Sequence, residues 1–203
     1  MATAFTESEK ELIRDKLKHV ARQYLSQYGV KKTTVDQLVQ LTGISKGAFY
    51  MFYPSKEILF FTVLEDYQEQ LMAEFAEKLK KMTEIRKGIF AALLVELFQE
   101  VRHSFLMTII KNQEFENLVR KLPQDMIMNH HSFDNVLAQT VFSYVKLKKE
   151  FSIEVAAASL RAIFMSLLHV KEIGEKEFDE VLKLLIHSAI HQLIEEDGHE
   201  GNY

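Results

Sequence analysis

The chain has 203 residues, 47% of them hydrophobic, with 7 Gly, 2 Pro, no Cys and a formal net charge of −4. So few Gly and Pro argue against an all-β fold, which needs many turns, and the lack of Cys excludes a disulfide framework, a Cys-based zinc site and a thiol nucleophile. The acidic total hides an asymmetry: residues 1–60 carry nine Lys/Arg against six Asp/Glu, a net +3, which leaves −7 for the remainder. A basic N-terminal part on an acidic body is the arrangement expected when only one end meets phosphate. The start MATAFTESEKEL lacks the basic and apolar regions of a signal peptide. No uninterrupted apolar run reaches the ~18 residues that suggest a membrane span. The expectation is a soluble, cytoplasmic, all-α protein with no membrane partner.

Thr6 to Tyr28 reads as the first helix. Thr6-Glu7-Ser8-Glu9 is a capping box, and Ile13, Leu17, Val20, Ala21, Tyr24 and Tyr28 recur at helical spacing as one apolar stripe. Gly29 is expected to end it in the left-handed conformation.

Thr34-Val35-Asp36-Gln37 is a second capping box, and Val35, Leu38, Val39 and Leu41 give a helix of about two turns. Thr42-Gly43-Ile44 is the turn, with Gly43 free to take positive φ. Ser45 can cap a further short helix from Lys46 to about Phe52. Pro54 biases Tyr53 out of the helical region, and Ser55 can cap a new helix from Lys56. Two short helices joined by a Gly-containing turn form a helix-turn-helix, whose second helix enters the major groove of DNA. Lys46 supplies charge, Gly47 and Ala48 are small enough to let the groove wall approach, and Tyr50 offers a hydroxyl to phosphate. Gly47 costs ~1 kcal/mol of helix propensity relative to Ala, so a packing or approach reason is expected for it. Thr34 and Lys56 sit at helix N-termini, where free amides favour an anion.

The run GISKGAFYMFYPSKEIL resembles the helix-turn-helix signature of the tetracycline-repressor (TetR) family of transcriptional regulators, with Thr34, Gly43, Ser45, Gly47, Tyr50 and Lys56-Glu57 in matching places. The resemblance covers roughly residues 6–60. It implies a three-helix DNA-binding head, a helical body that dimerises, and a small-molecule effector whose binding releases DNA. Thr34, Ser45, Lys46, Gly47, Ala48, Tyr50 and Lys56 are the expected DNA contacts, Ser45 to Ala48 towards bases and the other three towards phosphate. The run Met51-Phe52-Tyr53 departs from the family pattern, since Met51 cannot donate to phosphate as Tyr or Arg would.

Beyond the head, Lys56 to about Met82 reads as one long helix through Phe60, Leu64, Tyr67, Leu71, Phe75 and Leu79. Glu84 to about His103 follows with a wide apolar face. One or two short helices are expected between Phe105 and Leu122, broken at Asn112-Gln113. Another runs from Pro123 to about Lys148. Ser152 caps a helix to about Ile173, Gly174 ends it, and the last helix covers Glu175 to Glu196. Residues 1–55 are expected to form the DNA-binding domain and 56–203 the effector-binding and dimerisation domain.

The last two helices are joined by a short link, which makes them antiparallel neighbours. Ala156, Ala157, Ala158, Ser159, Ser188 and Ala189 allow close approach, and the helix 152–173 is apolar almost all round. A homodimer through these two helices is the natural use, and a two-fold axis suits palindromic half-sites.

Phe90, Phe98, Met107, Phe133, Leu137, Phe164 and Leu168 are the candidate lining of an effector pocket. Side chains of this kind more often fill a solid core, so the cavity rests on the resemblance. His187 and His191, four apart with Glu195 beyond, have zinc-ligand spacing. Adjacent His130 and His131 do not share a helix face. Surface or interface histidine is the default use of all four, so no metal and no cofactor are expected. No nucleophile elbow, phosphate-binding glycine loop or dinucleotide fingerprint is present, which argues against an enzyme. The alternative to a DNA-binding repressor is a helical small-molecule-binding or carrier protein.

Overall fold

The computed structural model describes residues 5–127 and 139–195. Ten α-helices are bounded among them: α1 Glu7–Lys32, α2 Val35–Thr42, α3 Lys46–Phe52, α4 Lys56–Lys80, α5 Lys87–His103, α6 Phe105–Lys111, α7 Glu114–Val119, α8 Ile153–Ser166, α9 Val170–Ile173 and α10 Phe178–Leu193. A 3-10 turn, Leu167–His169, links α8 to α9. The chain forms two compact units: Met1–Glu69 with Ser104–Ile127, and Gln70–His103 with Met128–Tyr203.

The first unit is built on α1. Both halves of its capping box form: the Glu9 amide donates to Thr6 Oγ1 and the Thr6 amide to Glu9 Oε2. Leu17, Ala21 and Leu25 are fully buried, as are Leu38 on α2, Phe49 on α3 and Leu59 and Phe60 on α4. α1 packs against α2, α6 and α7. Arg22 lies 5.1 Å from the Tyr67 ring centroid and 5.6 Å from that of Phe105, while Lys18 pairs with Asp66 at 2.8 Å.

Gly29 breaks the helix with the expected positive φ (75°, ψ −175°), and a separate short helical turn, Val30–Lys32, follows beyond the kink. The reason lies far along the chain. The buried Glu114 carboxylate accepts from the Val30 amide at 2.7 Å and the Lys31 amide at 3.2 Å, capping this final turn. Glu114 starts α7, directly after the positive-φ residue Gln113. The Asn112-Gln113 break is therefore real, and α6 and α7 flank it.

In the second unit α10 packs mainly on α5 and also on α8. Phe178, Leu182, Ile186 and Ile190 recur every four residues on α10 and are fully buried. Arg102 of α5 pairs with Asp179 and stacks 4.7 Å from the Phe178 centroid. Phe75 and Phe90 meet edge to face at 6.1 Å. Ser152 caps α8 by accepting from the Val155 amide. The helix expected from Pro123 to Lys148 falls partly outside the described residues; it is helical over 124–127 and 139–142. It ends before Lys148 because residues 146–148 pair instead with the end of α10. The Lys148 amide donates to the Leu193 carbonyl and the Glu195 amide to the Lys146 carbonyl, both at 2.9 Å.

The stretch Ile153–Ile173 contains an 18-residue window of mean hydropathy 1.5 and is, by length and composition, long and apolar enough to cross a membrane, although charges interrupt its apolar run. Its buried residues include Ala156, Ala157, Ile163, Leu167 and Val170, while Val155, Met165 and Ile173 are exposed. One side serves the core and another is left over.

Candidate nucleic-acid interface

The helix-turn-helix forms as the residues dictate. In α2, Thr34 Oγ1 accepts from the Gln37 amide, and Gln37 Oε1 accepts from the Thr34 amide at 2.8 Å. Gly43 takes the left-handed conformation (φ 74°, ψ 28°) and its amide closes on the Val39 carbonyl. Nothing lies within 4 Å of a Cβ built there, so the need for glycine is conformational. Ser45 caps α3 through the Ala48 amide at 3.1 Å. Tyr53 is extended (φ −135°), as Pro54 requires, and buried, so it takes the place of a core aromatic ring. Burial pushes its hydroxyl pKa up, partly offset by Lys18.

Thr34, Lys46, Tyr50 and Lys56, four of the expected DNA contacts, line one cleft of about 410 Å³ together with Val35, Asp36, Pro54, Ser55 and Glu57. The cleft therefore joins the starts of α2 and α4 to the side of α3. Ser45, Gly47 and Tyr50 are exposed on α3, and Ala48 is half-buried. A Cβ on Gly47 would meet nothing nearer than Ser45 Oγ at 3.9 Å. Packing inside the chain thus gives no reason for this glycine.

Two of the lysines are engaged within the chain. Lys46 Nζ lies 3.0 Å from Asp36 Oδ1 and 3.1 Å from Oδ2, both groups being exposed. The hydrogen bond and charge of Asp36 raise the Lys46 pKa. Asp36 went unnoticed as a site residue because a ten-residue separation across a turn has no spacing rule. Lys56 Nζ donates to the Val30 carbonyl at 2.9 Å and the Thr33 carbonyl at 2.6 Å. It ties the end of α1 to the start of α4, and burial lowers its pKa against the opposing pull of Glu57. Its ammonium serves this internal joint.

A second cleft, of about 430 Å³, lies beside this joint and is lined by Val30, Lys31, Lys56, Glu57, Glu114, Asn117 and Lys121. Lys121 Nζ meets Glu57 Oε1 at 2.8 Å. Burial opposes the Glu57 charge, but Lys121, the backbone and Lys56 outweigh it and hold the carboxyl below its ordinary range.

Residues 18–63 match the model of the bacterial regulatory proteins of the tetR family. The match covers the end of α1, the whole helix-turn-helix and the start of α4. This segment is a tetR-type helix-turn-helix. Over 137 residues the chain is 26% identical to the uncharacterized HTH-type transcriptional regulator YhgD of Bacillus subtilis, covering 68% of this chain and 67% of that protein. Over 119 residues it is 28% identical to the HTH-type transcriptional repressor KstR2 of Mycolicibacterium smegmatis, covering 59% and 57% of the two chains. Its fold is shared with Thermus thermophilus FadR, a TetR-family transcriptional repressor solved in complex with lauroyl-CoA; the TM-score is 0.56 at 18% identity, over 94% of this chain and all of that one.

The expected effector-pocket residues divide between the units. Met107 is buried in the first unit, while Phe90 and Phe98 are buried and Phe164 and Leu168 half-buried in the second. Phe133 and Leu137 lie outside the described residues, as do His130 and His131. His187 and His191 are exposed on α10. Glu195 is taken by Lys146 at 2.6 Å, and among the described residues no three His, Asp or Glu side chains gather as metal ligands.

Proposed function

We propose that this chain is a tetR-family repressor that binds a palindromic operator as a homodimer and leaves it when a small apolar effector occupies the helical body. The observation that carries the reading is the convergence of Thr34, Lys46, Tyr50 and Lys56 on one cleft of the head. There the starts of two helices, a hydroxyl and a cation can meet phosphate, while the exposed side of α3 enters the major groove. Lys46, expected towards bases, shares this cleft with the phosphate-facing residues and would exchange Asp36 for a phosphate oxygen. Lys56 would act by fixing the amide end of α4 in place. In this division of roles, residues 1–55 bind DNA and 56–203 bind the effector and the second copy.

The second copy is assigned to α8, α9 and α10. Val155, Met165, Ile173, Leu184 and Leu185 are exposed there, an apolar surplus that a monomer has no use for. Release by an effector is supported by the FadR complex with lauroyl-CoA and by the apolar side chains Phe90, Phe98, Phe164 and Leu168 on α5, α8 and the following turn. Repression follows the repressor among its relatives.

Selection of bound fragments from fragmented bacterial genomic DNA tests the reading. Enrichment of fragments sharing an inverted repeat, with half-site centres about one helical turn (~34–36 Å) apart, is expected. Failure to enrich any fragment would favour the carrier alternative.

A further inference from the structure

The exposed side of α3 carries few chemistries. Ser45, Lys46, Gly47, Tyr50 and Met51 are exposed, Ala48 and Phe52 are half-buried and Phe49 is buried. Bases are read in the major groove by Arg or Lys on guanine, Asn or Gln on adenine, and Asp or Glu on cytosine. α3, KGAFYMF, has no Arg, Asn, Gln, Asp or Glu. Its one Lys is held by Asp36, and the Ser45 hydroxyl is the helix cap. Tyr50 packs with its ring perpendicular to that of Phe49 and lines the cleft at the starts of α2 and α4. Met51 is left. It is 69% exposed, more than any other large hydrophobic residue among the described ones.

Met51 stands one helical turn after Gly47. A long side chain on a helix lies towards the turn that precedes it, and at Gly47 that turn is bare backbone, where an added Cβ would meet only Ser45 Oγ, in ordinary contact at 3.9 Å. Together the two residues make an apolar patch with room for a flat partner. The thymine methyl is the apolar group that base edges present in the major groove. We infer that Met51 is a specificity-determining residue that reads thymine methyls in each half-site, with Gly47 giving the base edge its approach. This rests on the DNA-binding reading. It turns the departure from the family pattern at Met51 from a lost phosphate contact into a gained base contact.

The test uses duplexes enriched from a random pool by the full chain, remade with deoxyuridine in place of each thymidine in turn, which removes only the methyl. At one or two positions per half-site, uracil is expected to weaken wild-type binding about fourfold, the equivalent of ~0.8 kcal/mol for one methyl group. Met51→Ala is expected to bind the thymine and uracil duplexes equally at those positions. Met51→Leu, which keeps an apolar reader, is expected to retain the preference. Uracil weakening wild type and Met51→Ala alike, or weakening neither, would overturn the inference while leaving DNA binding intact. Failure to enrich any duplex would overturn the DNA-binding reading, and this inference with it.

Discussion

The Glu114 carboxylate occupies the space that a side chain on Gly29 would need: a Cβ built on Gly29 would lie 2.4 Å from Glu114 Oε2. The two residues are 85 positions apart and lock together through the Val30 and Lys31 amides. Through the same turn, the Val30 and Thr33 carbonyls reach Lys56, and Thr33 leads directly into the cap of α2. The joint that sets the entry of the helix-turn-helix is thus made by α1, α4 and α7 together.

Glu114→Ala is expected to destabilise the protein by about 1.5–3 kcal/mol, since it removes charge-assisted hydrogen bonds and orphans the buried Val30 amide. Gly29→Ala is expected to cost about 1–3 kcal/mol, from strained backbone and eviction of the carboxylate. Because both act on one contact, the double variant should be less destabilised than the sum. Urea denaturation of the full chain measures all three, and strict additivity would mean that the two residues act separately.

Lys46→Ala is expected to weaken operator binding without unfolding the protein and to lower the salt slope by about one. Asp36→Asn frees the Lys46 ammonium and should tighten binding. Because an exposed ion pair contributes only ~0.2–1 kcal/mol, the gain should be no more than about fivefold. Gel-shift titrations across a salt series check both, and weaker binding by Asp36→Asn would show that the carboxylate helps to hold DNA.

The Glu57 carboxyl, held below its ordinary pKa chiefly by Lys121 against the cost of burial, makes the first unit acid-sensitive. A carboxyl whose folded-state pKa is depressed contributes stability that is complete above its unfolded value, about 4.3, and is lost as the pH falls through the lower folded value. Glu57→Gln is expected to remove that part of the acid dependence. Thermal melts of both proteins from neutral pH down to about 3 would reveal it as converging stabilities, and parallel curves would assign the acid sensitivity elsewhere.

Much of the head was legible because its determinants are local. Thr6, Thr34 and Ser45 cap the helices that follow them, Gly43 has the positive φ a tight turn demands, and Pro54 fixes the end of α3. The extra turn after Gly29 was not legible, because its cap comes from Glu114. The early end of the helix before Lys148 has the same kind of cause, an exchange of backbone hydrogen bonds with residues 193–195. Within the site, the residue types were readable but their engagement was not. Lys46 and Lys56 look like free cations in the sequence, yet one is paired with Asp36 and the other with two backbone carbonyls.

Leu184, 67% exposed on α10, is the side chain whose replacement should most directly split the proposed dimer. Leu184→Glu places a charge in an apolar contact and is expected to give the monomer mass by light scattering at micromolar concentration, where the wild type gives twice that mass. A monomeric wild type would place operator symmetry beyond the reach of this surface.

The most direct measurement is the affinity of the purified full chain for an enriched palindromic duplex, titrated against salt and against a scrambled duplex of equal length. Specific binding is expected to fall steeply and linearly in log–log form as phosphate contacts are screened, and to exceed scrambled-duplex binding by at least about a thousandfold. Binding that ignores salt, or treats the two duplexes alike, would contradict a head built to read DNA.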